Sequence, residues 1–239
     1  MGTKLCETKY PLMLIHGIGY DDYGRQSYWG RIPGVLRENG GAVYFGYQDP
    51  FGSISHNSEQ IAQRIEVVRK KTGKDKVNLI AHSKGGLEAR YVVSQLDMGE
   101  KVASITTLAT PHRGIITLDK LQSKRQRGLR HLLHLFNTML KIDGGERPTD
   151  NRIYNQLTAD YMEVFNALVK DVPGIYYQSY AFDMKNSKSD PAMGIFHRII
   201  GKLEGPNDGL VSVESAKWGD FRGVFPGSGE IGISHPNAV

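Results

Sequence analysis

The sequence predicts an α/β fold in which a mostly parallel sheet is flanked by helices. Short apolar runs of strand length alternate with stretches of helical spacing through the first half of the chain, and this alternation is typical of parallel sheets with helical crossovers. One of these runs passes directly into a helix through a tight turn around Ser83. For 239 residues we expect a single domain, 1–239, with a helical insertion at about 115–172.

Strands are predicted where apolar runs end at turn residues. The run Tyr10–Ile15 stops at a His-Gly pair, and Ala42–Tyr47 follows two consecutive glycines. Val77–Ile80 and Val102–Leu108 are further apolar runs of strand length, and sheet-type sequence resumes at Gly174–Tyr180. Ligands of such sheets bind beyond the carboxyl ends of the strands.

Helices are predicted between these strands. Ser27–Asn39 has mixed helical character. Asn57–Lys71 repeats apolar residues at spacings of four and three, and Gly73 follows as a C-terminal stop. A third helix is predicted at Gly86–Leu96, directly after the turn around Ser83.

The insertion carries an apolar stripe of its own. Six large side chains fall on one helical face: Leu129, Leu132, Leu133, Phe136, Met139 and Leu140. Because such a stripe needs cover, we expect residues from about Ile115 to Asp143 to act as a mobile lid. The alternative is a core helix packed permanently on the sheet. A second helix is predicted from an N-cap at Thr158 to about Lys170.

Composition excludes several classes of protein. A charged fraction of 23% argues against disorder, and no apolar run approaches the ~18 residues of a membrane span. Met1–Tyr10 lacks the apolar stretch of a signal peptide, and Cys6 is the only cysteine, which rules out an internal disulfide. The net charge is +5, but no nucleic-acid motif accompanies the basic cluster at Lys120–Arg130. We expect that cluster to be a solvated face.

The turn around Ser83 has the chemistry of a nucleophile. In Ala81-x-Ser83-x-Gly85 the residues on both sides of the serine are small, as a close approach of strand and helix requires. Such a turn strains the backbone of its central residue and lifts the hydroxyl to a helix N-terminus. The alternative is a chance serine in a glycine-rich turn.

A serine nucleophile needs a base and an acid, in the chain order Ser, Asp or Glu, His. Asp208 lies in an Asn-Asp-Gly turn and His235 is the last histidine of the chain, so the order is satisfied. The alternatives are an Asx-turn role for Asp208 and a surface histidine near a frayed terminus. His197, with Asp183 or Asp190, is the substitute pair.

Acyl transfer also needs donors for an oxyanion. The backbone N–H groups of Lys84 and Ile18 are the predicted donors, and we expect the Lys84 side chain to point to solvent. For His16 a role in shaping the loop is the preferred interpretation, and for His82 packing or a hydrogen bond. The candidate substrate-binding residues are His16, Gly17, His82, Leu133 and Phe136.

Five ordered motifs resemble those of the bacterial triacylglycerol lipases, in particular the Gram-positive type. They are Tyr10-Pro-x-x-Leu-Ile-His-Gly, Ala81-His-Ser-x-Gly-Gly, Thr110-Pro-His-Arg-Gly, Asn207-Asp-Gly-Leu-Val-Ser-Val and Ser215-Ala-Lys-Trp-Gly. The resemblance implies an α/β-hydrolase fold and hydrolysis of carboxylic esters. It implies Ser83 as nucleophile, Asp208 as acid and His235 as base, with Ile18 and Lys84 as oxyanion donors and a helical lid.

The resemblance also implies partners and a cofactor question. Lipid esters and the lipid–water interface are the expected partners. No nucleic acid and no stable protein partner are expected. The resemblance implies secretion, although the chain shows no signal peptide. Many relatives bind calcium, and Asp190 matches one ligand position as a weak candidate. The second position is Asn237, a neutral and weaker ligand, so we expect no cofactor. The alternative functions are a carboxylesterase on soluble short-chain esters and a non-catalytic ligand-binding relative.

Overall fold

A computed structural model provides the structure, and it describes residues 4–19, 22, 28–122, 152–225 and 227–239. The strands are β1 (Leu12–Ile15), β2 (Val43–Phe45), β3 (Val77–His82), β4 (Val102–Leu108), β5 (Tyr176–Phe182) and β6 (Asp220–Phe225). The described helices are α1 (Ile32–Glu38), α2 (Ile54–Thr72), α3 (Lys84–Gln95), α4 (Ile116–Gln122), α5 (Arg152–Asn155), α6 (Ala159–Leu168), α7 (Gly194–Glu204) and α8 (Val213–Ala216). Short 3₁₀ turns lie at Gly99–Lys101 and His235–Ala238.

The strands form one sheet in the order β2-β1-β3-β4-β5-β6. β1 pairs in parallel with both of its neighbours, and Leu12 lies opposite Val43 on one side and Asn78 on the other. The predicted α/β class is confirmed. β5 begins two residues later than predicted, because Gly174 has a φ of 85° and belongs to the preceding turn.

The chain divides into two compact units. The first comprises Met1–Thr107, Val169–Gln178 and Val239, and the second comprises Leu108–Leu168 and Ser179–Ala238. The organisation as a single domain with an insertion at about 115–172 stays a prediction.

The core of the first unit is formed by the sheet and helices α2 and α3. Met13, Ile15 and Leu79 of the strands are buried, together with the predicted apolar face of α2, Ile61, Ile65 and Val68. Ser53 caps α2 by accepting a hydrogen bond from His56 N–H, which explains why this helix begins at Ile54, earlier than predicted. Gly73 ends it in the left-handed conformation, as predicted.

One cluster of buried residues in the second unit comprises Tyr154, Phe196 and Ile200. Helix α6 begins where predicted, because Thr158 Oγ1 accepts a hydrogen bond from Tyr161 N–H at 3.2 Å. Asp119 of α4 adds a second cap, since its Oδ2 accepts from Ala159 N–H at 2.9 Å. The N-cap prediction is therefore confirmed.

The sequence predictions omit two elements of the second unit. Helix α7 carries apolar residues at helical spacing, with Phe196 and Ile200 buried four residues apart, but no cap marks its start. Helix α7 starts after Met193, whose side chain makes no capping hydrogen bond, and its first residue is a glycine. β6 is largely exposed and shows no apolar alternation. The stripe from Leu129 to Leu140 lies outside the described residues. Within the residues that are described, no helix combines the length and apolar character that crossing a membrane requires.

Candidate active site

Ser83 occupies a strained turn between a buried strand and a helix. It is the one residue between β3 and α3, and its φ of 54° and ψ of −131° lie outside the regions that L-residues favour. Its side chain makes no capping hydrogen bond to α3. The predicted strained turn is confirmed, and it holds Ser83 at the positive end of the α3 dipole.

Small residues permit this turn because backbone from β1 lies against it. A Cβ on Gly85 would lie 2.4 Å from the carbonyl oxygen of His16 and 2.7 Å from that of Ile15. A Cβ on Gly17 would lie 2.8 Å from the Cβ of Ser83. The loop that follows β1 therefore packs directly against the serine.

This packing bears on the two predicted oxyanion donors. Lys84 is the first residue of α3, so its N–H has no acceptor within the helix. Ile18 lies in the loop after β1, one residue beyond Gly17. In the part of the chain that the structure describes, no backbone carbonyl accepts a hydrogen bond from Ile18 N–H. Both donors lie in the first unit, and their role stays a prediction.

The two histidines near Ser83 are buried and hydrogen-bonded. His16 Nε2 donates to the carbonyl of Gln48 at 2.9 Å, consistent with a role in shaping the loop. His82 Nδ1 lies 2.5 Å from the hydroxyl of Tyr28, which also lies against Gly17. Sequence reasoning missed Tyr28, because no motif marks it. Substrate binding by His16, Gly17 and His82 stays a prediction.

The Lys84 side chain does not point to solvent, and that expectation is wrong. It is 0% exposed, and its ammonium group forms an ion pair with Glu88, which is equally buried. The signal for this pair in the sequence is the spacing of four residues along a helix, whereas the predicted role of Lys84 rests on its backbone N–H alone.

In the second unit the structure brings Asp208 and His235 together. His235 Nδ1 lies 2.7 Å from Asp208 Oδ2, and His235 N–H donates to the Asp208 carbonyl at 2.8 Å. The two residues are 7% and 1% exposed. His235 is therefore not a surface residue near a frayed terminus.

The other carboxylate oxygen of Asp208 holds the turn. Asp208 Oδ1 accepts hydrogen bonds from Leu210 N–H at 2.9 Å and Val211 N–H at 2.7 Å. The turn role and the pairing with histidine are therefore compatible, because each uses a different oxygen. The turn fixes the carboxylate plane, and Oδ2 is aimed at the imidazole.

His197 and Asp183, the alternative base and acid, make other contacts. His197 Nδ1 lies 3.1 Å from Ser187 Oγ, and burial lowers the pKa of His197 below its usual value. Asp183 Oδ1 accepts a hydrogen bond from Lys185 N–H at 3.0 Å. Among the described residues, neither His197 nor Asp183 makes an ion pair like that of His235 with Asp208.

The carboxylate oxygens of Asp190 accept hydrogen bonds within the protein, and the expectation of no bound calcium stays a prediction. Asp190 Oδ1 accepts from the N–H groups of Ala192 and Met193, and Oδ2 accepts from Ser234 Oγ at 2.7 Å. Asn237 Nδ2 donates to the same Ser234 Oγ at 2.8 Å. Across the described ranges, no group of three or more His, Cys, Asp or Glu side chains could hold a metal. Leu133 and Phe136, predicted to contact substrate, lie outside the described residues.

A comparison with protein families shows to which family the chain belongs. A family model described as palmitoyl protein thioesterase matches residues 11–196. The chain belongs to the palmitoyl protein thioesterase family. The matched range contains the Ser83 turn of this family member and ends before Asp208 and His235.

Individual relatives agree with the resemblance to lipases. Triacylglycerol lipase 2 of Saccharomyces cerevisiae is 33% identical over 207 residues, which are 83% of this chain and 59% of the yeast protein. A triacylglycerol lipase of Pseudarthrobacter phenanthrenivorans is 40% identical over 121 residues, 48% of this chain and 37% of that protein. The chain therefore spans only part of the length of these two relatives. The Gram-positive subtype stays a prediction.

The fold has solved counterparts. The crystal structure of Bacillus licheniformis lipase BlEst2 in its mature form superposes with a TM-score of 0.76 at 19% identity. The match covers 96% of this chain and 86% of that one. The predicted α/β-hydrolase fold is confirmed.

Proposed function

We propose that this protein is a serine ester hydrolase, a lipase that acts on the carboxylic esters of triacylglycerols. The observation that carries the proposal is the strained conformation of Ser83 at the start of α3, with φ 54° and ψ −131°. Costly backbone conformations of this kind cluster at active sites, and a turn that holds a nucleophile at a helix N-terminus explains the one at Ser83. The buried pair of Asp208 and His235 supports the same reading.

The proposed chemistry follows from the orientation of the imidazole. If His235 Nδ1–H donates to Asp208 Oδ2, the nitrogen left to accept a proton from Ser83 Oγ is Nε2. Ser83 then attacks the ester carbonyl, and the N–H groups of Ile18 and Lys84 hold the oxyanion. His235 returns the proton to the leaving alcohol, and water releases the acyl group by the same steps.

Triacylglycerol is the proposed substrate because the two relatives are named for it. Thioester hydrolysis is a second candidate, since the family model is described as a palmitoyl protein thioesterase. Both reactions pass through an acyl-serine intermediate, so they differ in the leaving group rather than in the nucleophile.

Rates on emulsified tributyrin, soluble p-nitrophenyl butyrate and a palmitoyl thioester test the proposal. We expect tributyrin to be hydrolysed fastest, with a rise in rate at its solubility limit. Ser83→Ala should abolish all activity, whereas Ser94→Ala on the same helix should keep it. A higher rate on the soluble ester with no rise at that limit would indicate a carboxylesterase, and a preference for the thioester would indicate the second candidate. No hydrolysis of any substrate would indicate a non-catalytic relative.

A further inference from the structure

The side chain after the proposed nucleophile is a buried charge. The Lys84 ammonium group pairs with the Glu88 carboxylate one helical turn later and donates to the carbonyl of Gly52 at 2.9 Å. The two side chains are 1% and 0% exposed. Burying a charge costs free energy unless the charge is paired and hydrogen-bonded. The buried Lys84–Glu88 pair therefore needs hydrogen-bond partners from neighbouring segments.

Glu88 collects donors from two further segments of the first unit. Asn57 of α2 donates from Nδ2 to Glu88 Oε1 at 2.8 Å. Gln48, which follows β2, donates from Nε2 to Glu88 Oε2 at 3.3 Å. Both carboxylate oxygens are thus engaged, and each partner lies in the interior.

Gln48 extends this network to the loop after β1. Its Nε2 also donates to the carbonyl of His16 at 3.0 Å, and His16 Nε2 donates back to the Gln48 carbonyl at 2.9 Å. His16 stands two residues before Ile18. Buried hydrogen bonds therefore lead without interruption from Lys84, through Glu88 and Gln48, to the loop that carries Ile18.

We propose that the Lys84–Glu88 pair positions the two oxyanion donors relative to each other. The proposal rests on the proposed function, because the network joins the Lys84 side chain to the loop that carries Ile18, and the N–H groups of Lys84 and Ile18 would hold the oxyanion. An apolar pair of similar volume is often as stable as a buried ion pair, so stability alone does not call for these charges. Hydrogen bonds are directional, so they fix the position of the loop after β1 relative to the start of α3 more strictly than apolar packing would.

Disrupting the Lys84–Glu88 pair should change kcat and not KM. Oxyanion contacts act in the transition state, so a displaced donor lowers kcat and leaves KM nearly unchanged. Removal of one donor costs about 10²–10³-fold in kcat. For a donor that is displaced rather than removed, we expect a loss of roughly 10–100-fold.

The test uses the double variant Lys84→Met/Glu88→Leu, which removes both charges and keeps the volume. We expect a folded protein whose Tm is unchanged or a few degrees lower, because the buried Gly52 carbonyl loses its partner. On p-nitrophenyl butyrate we expect a kcat lowered roughly 10–100-fold at constant KM. Affinity for phenylboronic acid, which forms a tetrahedral adduct with an active serine, should fall in parallel. Glu66→Gln, in an exposed ion pair of α2, is the control and should change none of these values.

Gln48→Met is the second variant, because it cuts the link to His16 and leaves the ion pair in place. It should lower kcat and boronate affinity without changing KM. Wild-type kcat and boronate affinity in either folded variant would overturn the positioning role, and so would a failure of both variants to fold. A wild-type protein that neither hydrolyses esters nor binds boronate would instead overturn the proposed function, so the two failures are distinguishable.

Discussion

At the scale of single residues, the decisive feature is the different use of the two Asp208 oxygens. Oδ1 is held by two backbone N–H groups of the turn, and Oδ2 contacts His235. A carboxylate fixed in this way can select one imidazole tautomer and stabilise the imidazolium that forms when a serine proton is taken up.

Asp208→Asn should therefore keep the turn and lose the chemistry. The amide oxygen can still accept the backbone hydrogen bonds, but a neutral amide neither stabilises an imidazolium nor enforces the tautomer. We expect kcat to fall by about 10²–10⁴-fold, with the far-UV circular dichroism spectrum unchanged. Asp183→Asn is the matched control, because Asp183 Oδ1 accepts a local turn hydrogen bond from Lys185 N–H. Wild-type activity in Asp208→Asn would remove Asp208 from the mechanism.

Residue-level prediction from the sequence succeeded where a motif fixes local geometry. The turn at Asp208 and the strain at Ser83 follow from short-range chemistry, and both are observed. The burial of Lys84 depends on Glu88, Asn57 and Gln48, which come together only in the folded unit. Lysine side chains are rarely buried, so residue type alone predicts a solvent-exposed side chain at Lys84.

At the scale of elements, the close contact of α3 with β1 decides which residues the turn tolerates. The carbonyl oxygens of Ile15 and His16 leave no space for a Cβ at Gly85. These atoms are backbone, so they cannot move aside as a flexible side chain would.

Gly85→Ala should consequently destabilise the protein and displace the serine. Overpacking of this kind costs about 1–3 kcal/mol, and each kcal/mol lowers Tm by about 2–4 °C in a protein of this size. Gly34→Ala in α1 is the control, because its new Cβ would meet nothing within 4 Å and alanine favours a helix. Differential scanning calorimetry and ester hydrolysis of both variants check this. Equal Tm and activity in Gly85→Ala would contradict the packing described for the turn.

Elements were predictable where apolar periodicity and caps agree. Helix α2 has the periodic face and the glycine stop, and α6 has Thr158. Helix α7 has apolar residues at helical spacing, Phe196 and Ile200 among them, but no cap at its start. Strand β6 has no alternating apolar pattern, so tertiary packing defines it. The lid predicted at about 115–143 lies mainly outside the described residues and stays a prediction.

At the scale of the whole molecule, the segment that carries His235 is held by protein contacts. Ile233 N–H donates to the Asp183 carbonyl at 2.9 Å, and Ser234 Oγ donates to Asp190 at 2.7 Å. A Cβ on Gly232 would lie 2.1 Å from the Asp183 carbonyl oxygen, so this segment packs closely on its neighbours in the second unit.

We therefore expect activity and Tm to be insensitive to EDTA. The contacts that anchor the His235 segment are hydrogen bonds, and Asn237 contributes a neutral amide to them. This expectation is checked by measuring Tm and the rate of ester hydrolysis before and after EDTA is added. Calcium is then added back and both measurements are repeated. A loss of activity or Tm that calcium restores would show that a metal anchors the protein.

The central claim is that Ser83 is a nucleophile activated by His235, and labelling with a fluorophosphonate ester tests it most directly. Such a probe phosphonylates an activated serine, and peptide mass spectrometry locates the adduct. We predict one adduct, on Ser83, with labelling slowed at least about 10²-fold in His235→Asn and absent in Ser83→Ala. An adduct on another serine, or an equal labelling rate at Ser83 without His235, would contradict the claim.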